Sequence, residues 1–166
     1  MHIALPHTAL ELLQALEDAG YPSYVVGGYV RDALLGVDGS DIDIATAATW
    51  QTVRDIAQAH DWRWHETGVA HGTITILVRD DESDSMDAYE VTTFRSDGSY
   101  TDCRHPDEVT FVGTIEEDLA RRDFTINALA YHPHHGLIDP YEGALDLEVH
   151  VIRAVGNPKK RFHEDA

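Results

Sequence analysis

A single cysteine, Cys103, leaves no internal disulfide to form, which suits a reducing compartment. The chain also lacks any run of eighteen or more apolar residues, so no stretch reads as a transmembrane helix. Its opening, MHIALPHTALELL, has no basic segment of the signal-peptide kind and reads as an ordinary domain start. Together these absences predict a cytoplasmic protein. Cations are scarce too: 12 Lys and Arg stand against 30 Asp and Glu, a formal charge of −18. Such a surface repels nucleic acid and anionic membranes, and most of its acidic residues read as a means of staying soluble. A polyanionic substrate would need the few cations gathered in one place. Arg121-Arg122 and Lys159-Lys160-Arg161 are the clearest groups. No internal repeat or low-complexity tract is present. What remains is 166 residues, 43% of them hydrophobic, enough for one domain with a real core.

The pattern of elements is mixed. Thr8-x-x-Glu11 reads as a capping box opening a helix that stops at Gly20, with Leu10, Leu13 and Leu16 on one face. Tyr24 to Val26 is a short strand. Gly27-Gly28 turns it into a second helix, Tyr29 to Leu35, and Asp41 to Ala45 alternates as a strand. Thr49 caps a third helix ending near His60. Thr73 to Val78 and Ala88 to Phe94 read as strands joined by an exposed acidic hairpin, Arg79 to Asp87. The polar segment Arg95 to Asp107 is long enough to be a functional loop. Thr114-x-x-Glu117 opens another helix. Ala128 to Tyr131 and Leu137-Ile138 flank a turn, Asp139 to Gly143 is a turn, and Val149 to Ala154 is a last strand. Lys159 to Ala166 begins a helix. The order predicts an α+β fold: a small mixed, mostly antiparallel sheet with helices packed on it.

Asp41 and Asp43, two apart on an expected strand, project from one face. Two hard oxygen ligands on a rigid face suit Mg²⁺, which completes its shell with water and phosphate oxygens. Solvated aspartates at a strand edge are the plain alternative; an EF-hand is excluded because its glycine and late glutamate are missing. The Gly27-Gly28 turn, where a strand hands over to a helix, can hold phosphate oxygens on backbone N–H groups. It is neither a Walker A sequence nor a dinucleotide fingerprint. Arg31 would supply a charged fork for phosphate, and Asp32 beside it reads as holding Arg31 or capping the helix rather than binding metal. Glu90 would join Asp41 and Asp43 if its strand pairs near theirs, and otherwise faces water. Three carboxylates could hold two Mg²⁺ about 3.5–4 Å apart. Arg121 to Ala128 (RRDFTINA) reads either as a site for a charged, hydrogen-bonding ligand or as a helix C-terminus that favours cations. His132, His134 and His135 admit zinc, but in a hairpin they read first as a polar tip.

The segments VVGGYVRDALLG, DIDIAT, HGTITI, EVTTFRSDGSYTDCRHPDEVTFV, EEDLARRDFTINALAY, IDPYEG and RFHEDA, in this order, cover nearly the whole chain. Together they resemble the N-terminal catalytic head of the class II CCA-adding tRNA nucleotidyltransferases and the related bacterial poly(A) polymerases. The resemblance implies a polymerase β-like nucleotidyltransferase head. Within it Gly27, Gly28 and Arg31 contact nucleotide phosphates, and Asp41 and Asp43 bind Mg²⁺ with Glu90 as third carboxylate. Arg122, Asp123 and Asn127 lie around the nucleotide and its ribose. Arg95 to Pro106 matches a loop used in switching from C to A addition, and Asp165 matches the aspartate of a base-reading pair whose arginine position lies past Ala166. The acidic hairpin is longer than the resemblance leads one to expect.

The expectation is therefore a catalytic head over residues 1–156 and the start of a neck helix, cut short, over 157–166. Its reaction would be attack of an RNA 3′-hydroxyl on CTP or ATP with release of pyrophosphate, the tRNA 3′ end being the acceptor. With half of the base-reading pair gone, transfer by these residues is expected to be weak and relaxed in base choice. Two alternatives stay open: a module that holds nucleotide and Mg²⁺ without catalysis, and the head of a poly(A) polymerase.

Overall fold

The computed structural model describes residues 2–39, 41–97, 109–159 and 161. Helix α1 (His7–Asp18) precedes β1 (Ser23–Val26), α2 (Gly28–Leu34), β2 (Asp43–Thr46) and α3 (Trp50–Ala59). Then come β3 (Arg63–Gly68), a 3₁₀ turn (Val69–His71), β4 (Thr73–Asp80) and β5 (Ser85–Thr93). Strands β6 (Arg95–Asp97) and β7 (Val109–Phe111) form a separate two-stranded ribbon. They are followed by α4 (Ile115–Ala120), a 3₁₀ turn (Thr125–Asn127), β8 (Ala130–His132), β9 (Gly136–Ile138) and α5 (Gly143–Glu148). The main sheet has seven strands in the order β3-β4-β5-β2-β1-β8-β9. Only β2 and β5 pair in parallel among its described strands, in the register Asp43↔Glu90 to Thr46↔Thr93. The fold is α+β with a mixed, mostly antiparallel sheet.

Alternation along the strands gives this sheet two unlike faces. Val25, Ile44, Ile74, Ile76, Val91 and Tyr131 point into one core, covered by Leu12, Leu13 and Leu16 of α1 and by Val53 and Ala57 of α3. Each fully buried leucine of this kind contributes about 1.5–3 kcal/mol. Their neighbours Val26, Ala45 and Ala130 point the other way, into a smaller core closed by Phe94, by Ile115 and Leu119 of α4, and by Val155. On β4 and β5 this second face is polar, carrying Thr75 and Glu90 between the buried positions. Half of it is therefore covered, and the half beside β2 is left open.

Local patterns held where nothing larger competed. Thr49 accepts the Thr52 N–H at 3.3 Å as the cap of α3, and Thr114 accepts the Glu117 N–H at 3.4 Å as the cap of α4 while its hydroxyl donates to Glu117 Oε2 at 2.9 Å. Thr8 does not cap. It lies inside α1, whose cap position is Pro6, and its hydroxyl is 2.6 Å from both Asp87 Oδ2 and Tyr89 Oη on β5. A buried tertiary partner outcompetes the local N–H. The expected strand from Val149 to Ala154 is also absent. Asp139 accepts the N–H groups of Gly143 and Ala144 at 2.7 and 2.9 Å, so the chain enters α5 instead. The segment after α5 then bonds to residues 123–125 through Thr125 N–H to Arg153 O and Val155 N–H to Asp123 O, both 2.8 Å. Strand β2 starts at Asp43, with Asp41 two residues ahead of it. The hairpin is real but tighter: β4 and β5 run on to Asp80 and Ser85, and Asp80 accepts from Glu82 N–H and Ser83 Oγ across the tip. Most of the expected loop from Arg95 to Asp107, and the expected helix from Lys159 with Asp165, lie outside the described residues.

Candidate active site

The parallel register sets Glu90 directly beside Asp43. Asp41, Asp43 and Glu90 line one open cleft of about 400 Å³ together with Ile42, Thr75 and Ala88. Desolvation raises the Asp43 carboxyl above its ordinary range; the nearby Glu90 and Asp41 charges push it the same way, and Arg122 pushes it back. Three carboxylates lining one open cleft make a donor set for a hard divalent cation, whose charge would reverse the Asp43 shift.

The glycine turn meets the RRDFTIN segment beside this cleft. Gly27 caps α2 with φ +73° and ψ −130°, and its N–H bonds to Leu129 O at 3.0 Å. A Cβ on Gly27 would lie 2.8 Å from Arg122 Nη1, so the glycine is needed for that approach as well as for its φ. Arg31 donates to Asp32 Oδ1 at 2.8 Å and to Asn127 Oδ1 at 2.7 Å. Asn127 donates to Asp123 Oδ1 at 3.2 Å, and Arg122 Nη1 donates to Asn127 O at 3.4 Å. Asp32 thus holds Arg31, as its sequence position suggested. Gly27, Gly28, Arg31, Arg122, Asp123 and Asn127 are brought together, and the Arg122 charge acts on Asp43. Of the two readings of the arginine pair, the helix C-terminus one fits Arg121. Arg121 is the C-cap of α4 and pairs with Asp118 three residues earlier, whereas Arg122 turns to the glycines. Burial and then Arg121 pull the Arg122 guanidinium below its ordinary value, while Asp118, Asp43 and Asp123 oppose the shift.

Two features escaped sequence reasoning. Asp118 is wholly buried, although EED at a helix start reads as solvated charge; its i,i+4 spacing to Arg122 was the available signal. His132 is 1% exposed rather than part of a polar tip. Its Nδ1 accepts the His134 N–H at 3.1 Å, which leaves Nε2–H to face Glu17 Oε1 at 3.2 Å. His135 lies 3.9 Å from the same oxygen, so one ligand atom from each of Glu17, His132 and His135 falls within 4.8 Å of the others. An Nε2 that carries the proton has no lone pair for a metal. Nor does this cluster adjoin the acidic cleft, since it lies toward the Tyr24 end of the sheet, whereas Asp43 pairs with Val26.

The chain belongs to the poly(A) polymerase head domain family, whose model matches residues 23–153. It is 50% identical over 159 residues to the CCA-adding enzyme of Lactobacillus helveticus, covering 95% of this chain and 37% of that protein. To the CCA-adding enzyme of Listeria monocytogenes serotype 4a it is 49% identical over 158 residues, covering 95% and 38%. The chain thus spans less than two fifths of these relatives. Among solved structures, the Bacillus stearothermophilus CCA-adding enzyme in complex with CTP superposes with a TM-score of 0.80 at 42% identity, over 95% of this chain and 35% of that one. A tRNA nucleotidyltransferase complexed with a primer tRNA and an incoming ATP analogue superposes with a TM-score of 0.65 at 29% identity, over 87% and 39%. No helix among the described residues is long and apolar enough to cross a membrane.

Proposed function

We propose that this chain is the catalytic head of a CCA-adding-type nucleotidyltransferase that transfers CMP or AMP from CTP or ATP to the 3′ end of tRNA. The observation that carries the reading is the Asp43↔Glu90 register, which gathers two carboxylates with Asp41 in one cleft while Asp43 pairs with Val26, the residue before the Gly27 turn. The Gly27-Gly28 turn and the Arg31 and Arg122 guanidiniums would bind the triphosphate, with Asn127 and Asp123 fixing both arginines and the ribose side. Asp41 and Asp43, with Glu90 beside them, would hold Mg²⁺, which when bound lowers the pKa of an attacking hydroxyl and neutralises leaving phosphates. The chain's own part is to place the α-phosphate in line with the RNA 3′-hydroxyl and to offset charge, the main needs of phosphoryl transfer. Pyrophosphate leaves on the arginine side. Residues 1–156 would form the head and 157–166 lead into a neck helix, where Asp165 would take part in base reading. A cytoplasmic setting follows from the reaction and from the single cysteine.

The test is incorporation of CTP, ATP, GTP and UTP on a tRNA acceptor with Mg²⁺, in wild type and Asp43→Asn. Transfer that requires Asp43 is expected; transfer unaffected by the substitution would end the proposal. One observation favours a second reading, a nucleotide-binding module that needs other domains for RNA. With a formal charge of −18, the surface has little to offer a phosphate backbone. A tRNA titration at low and physiological salt separates the two, because tight binding by this chain contradicts the module. Product length on a defined RNA primer distinguishes CCA from poly(A) addition.

A further inference from the structure

We propose that Asp118 is a positioning residue that holds the Arg122 guanidinium against the Gly27 turn and locks it to the start of β6. The inference rests on the reading of the cleft as a triphosphate site. Asp118 is 0% exposed, and its Oδ1 accepts two hydrogen bonds of 3.1 Å, from the Arg95 N–H that opens β6 and from Arg121 Nε. Those two donors saturate one oxygen and fix the carboxylate plane. The other oxygen, Oδ2, has no hydrogen-bond partner among the described residues and lies 3.7 Å from Arg122 Nη2.

Arg122 needs such an anchor. Its side chain is 17% exposed, and its buried Nε–H is likewise without a hydrogen-bond partner among the described residues. Its Nη1 makes one 3.4 Å bond to Asn127 O and sits where a Gly27 side chain would be. A guanidinium kept from water on one side and open to an anion on the other is placed by the charge behind it. Asp118 supplies that charge. At 3.7 Å it attracts Arg122 without consuming its donors, so the Nη groups remain available to phosphate oxygens.

The test uses the whole chain with Asp118→Asn, which keeps an acceptor for Arg95 and Arg121 and removes the charge. Hydrogen exchange of the Arg122 Nε–H, followed by NMR and assigned from its absence in Arg122→Lys, is expected to speed up at least tenfold. Affinity for CTP with Mg²⁺, measured by calorimetry, is expected to fall roughly 10- to 100-fold, as for a charged hydrogen bond lost. Thr49→Ala, which lowers stability at the remote cap of α3, should move neither readout. Asp118→Glu keeps the charge but displaces it, and serves if the Asn variant does not fold; intermediate values of both readouts are expected. Unchanged Arg122 protection in either folded variant overturns the inference, as does an equal loss of CTP affinity in Thr49→Ala. If wild type binds no CTP, the triphosphate reading fails, and the exchange measurement still decides whether Asp118 holds Arg122.

Discussion

Gly27 and Gly28 are neighbours in the sequence, yet alanine should act on them in opposite ways. At Gly27 the backbone has φ +73° and ψ −130°, a region that a side chain enters at a cost of ~2 kcal/mol. For a domain of 166 residues that corresponds to a fall in Tm of about 4–8 °C. A Cβ there would also stand 2.8 Å from Arg122 Nη1. Because that atom ends a flexible side chain, the clash is relieved by moving the guanidinium, and what is lost is its placement. A displaced charged donor weakens CTP binding by roughly 10- to 100-fold. Gly28 is the first residue of α2, and a Cβ there meets only Arg31 Nη2 at an ordinary 3.6 Å. Alanine is the better helix former, so Gly28→Ala should melt within about 2 °C of wild type or above it. Calorimetric melting and CTP titration of both variants decide the matter. If Gly27→Ala behaves as Gly28→Ala does in both assays, the reasoning about this turn is wrong.

Three further outcomes follow from charge and burial. Desolvation, with Asp87 and Tyr29 adding to it against the Thr8 hydrogen bond, raises Tyr89 from 10.0 to about 12. The unfolded chain ionises first, so stability from this group is complete below pH 10 and falls as pH climbs toward 12; urea titrations should show a decline that Tyr89→Phe reduces. His132 is shifted the other way, below 6.5, by burial and by His135 and His134 against the pull of Glu17, with the Tyr24 ring packed edge-on. Here the unfolded chain gains the proton first, so stability is full above pH 6.5 and drops below it. Urea midpoints at pH 7.5 and 5.5 should differ less in His132→Asn than in wild type, and equal differences would refute the assignment. Finally, a formal charge of −18 repels itself, so Tm should rise as KCl goes from 0.05 to about 1 M, where the Debye length shrinks to about 3 Å; a Tm that stays flat or falls would contradict this.

Much of the site was legible because strand alternation is a local property. Alternation put Glu90 opposite Tyr89 and Val91, whereas the expected shared face of Asp41 and Asp43 reached past the strand, since β2 begins only at Asp43 and Asp41 lines the same cleft from ahead of it. That β5 pairs with β2 was not legible, since paired residues such as Asp43 and Glu90 lie more than forty positions apart and nothing in DIDIAT names its partner. The misreadings share a cause. Thr8 satisfied a local motif but took partners on β5, and Val149 to Ala154 carried strand-like residues whose end bridges Phe124 instead of joining the main sheet. Asp118 belonged to a capping-box helix by sequence, and only the packing of α4 against Phe94 and Val155 sinks its carboxylate beneath the arginines. In each case a distant contact decided what a short window could not.

The main sheet is two antiparallel ribbons, β3-β4-β5 and β2-β1-β8-β9, sewn together by four residue pairs of β2 and β5. Asp43 and Glu90 are the first stitch of that seam. Their mutual repulsion works against its closure at the end where the cleft opens. A divalent cation binding there would thus act as a fastener between the two ribbons, and its affinity and the resistance of the seam to opening would be one linked quantity. The same residues that would activate a nucleotide would then also report, through hydrogen exchange along β2 and β5, whether the ribbons are joined.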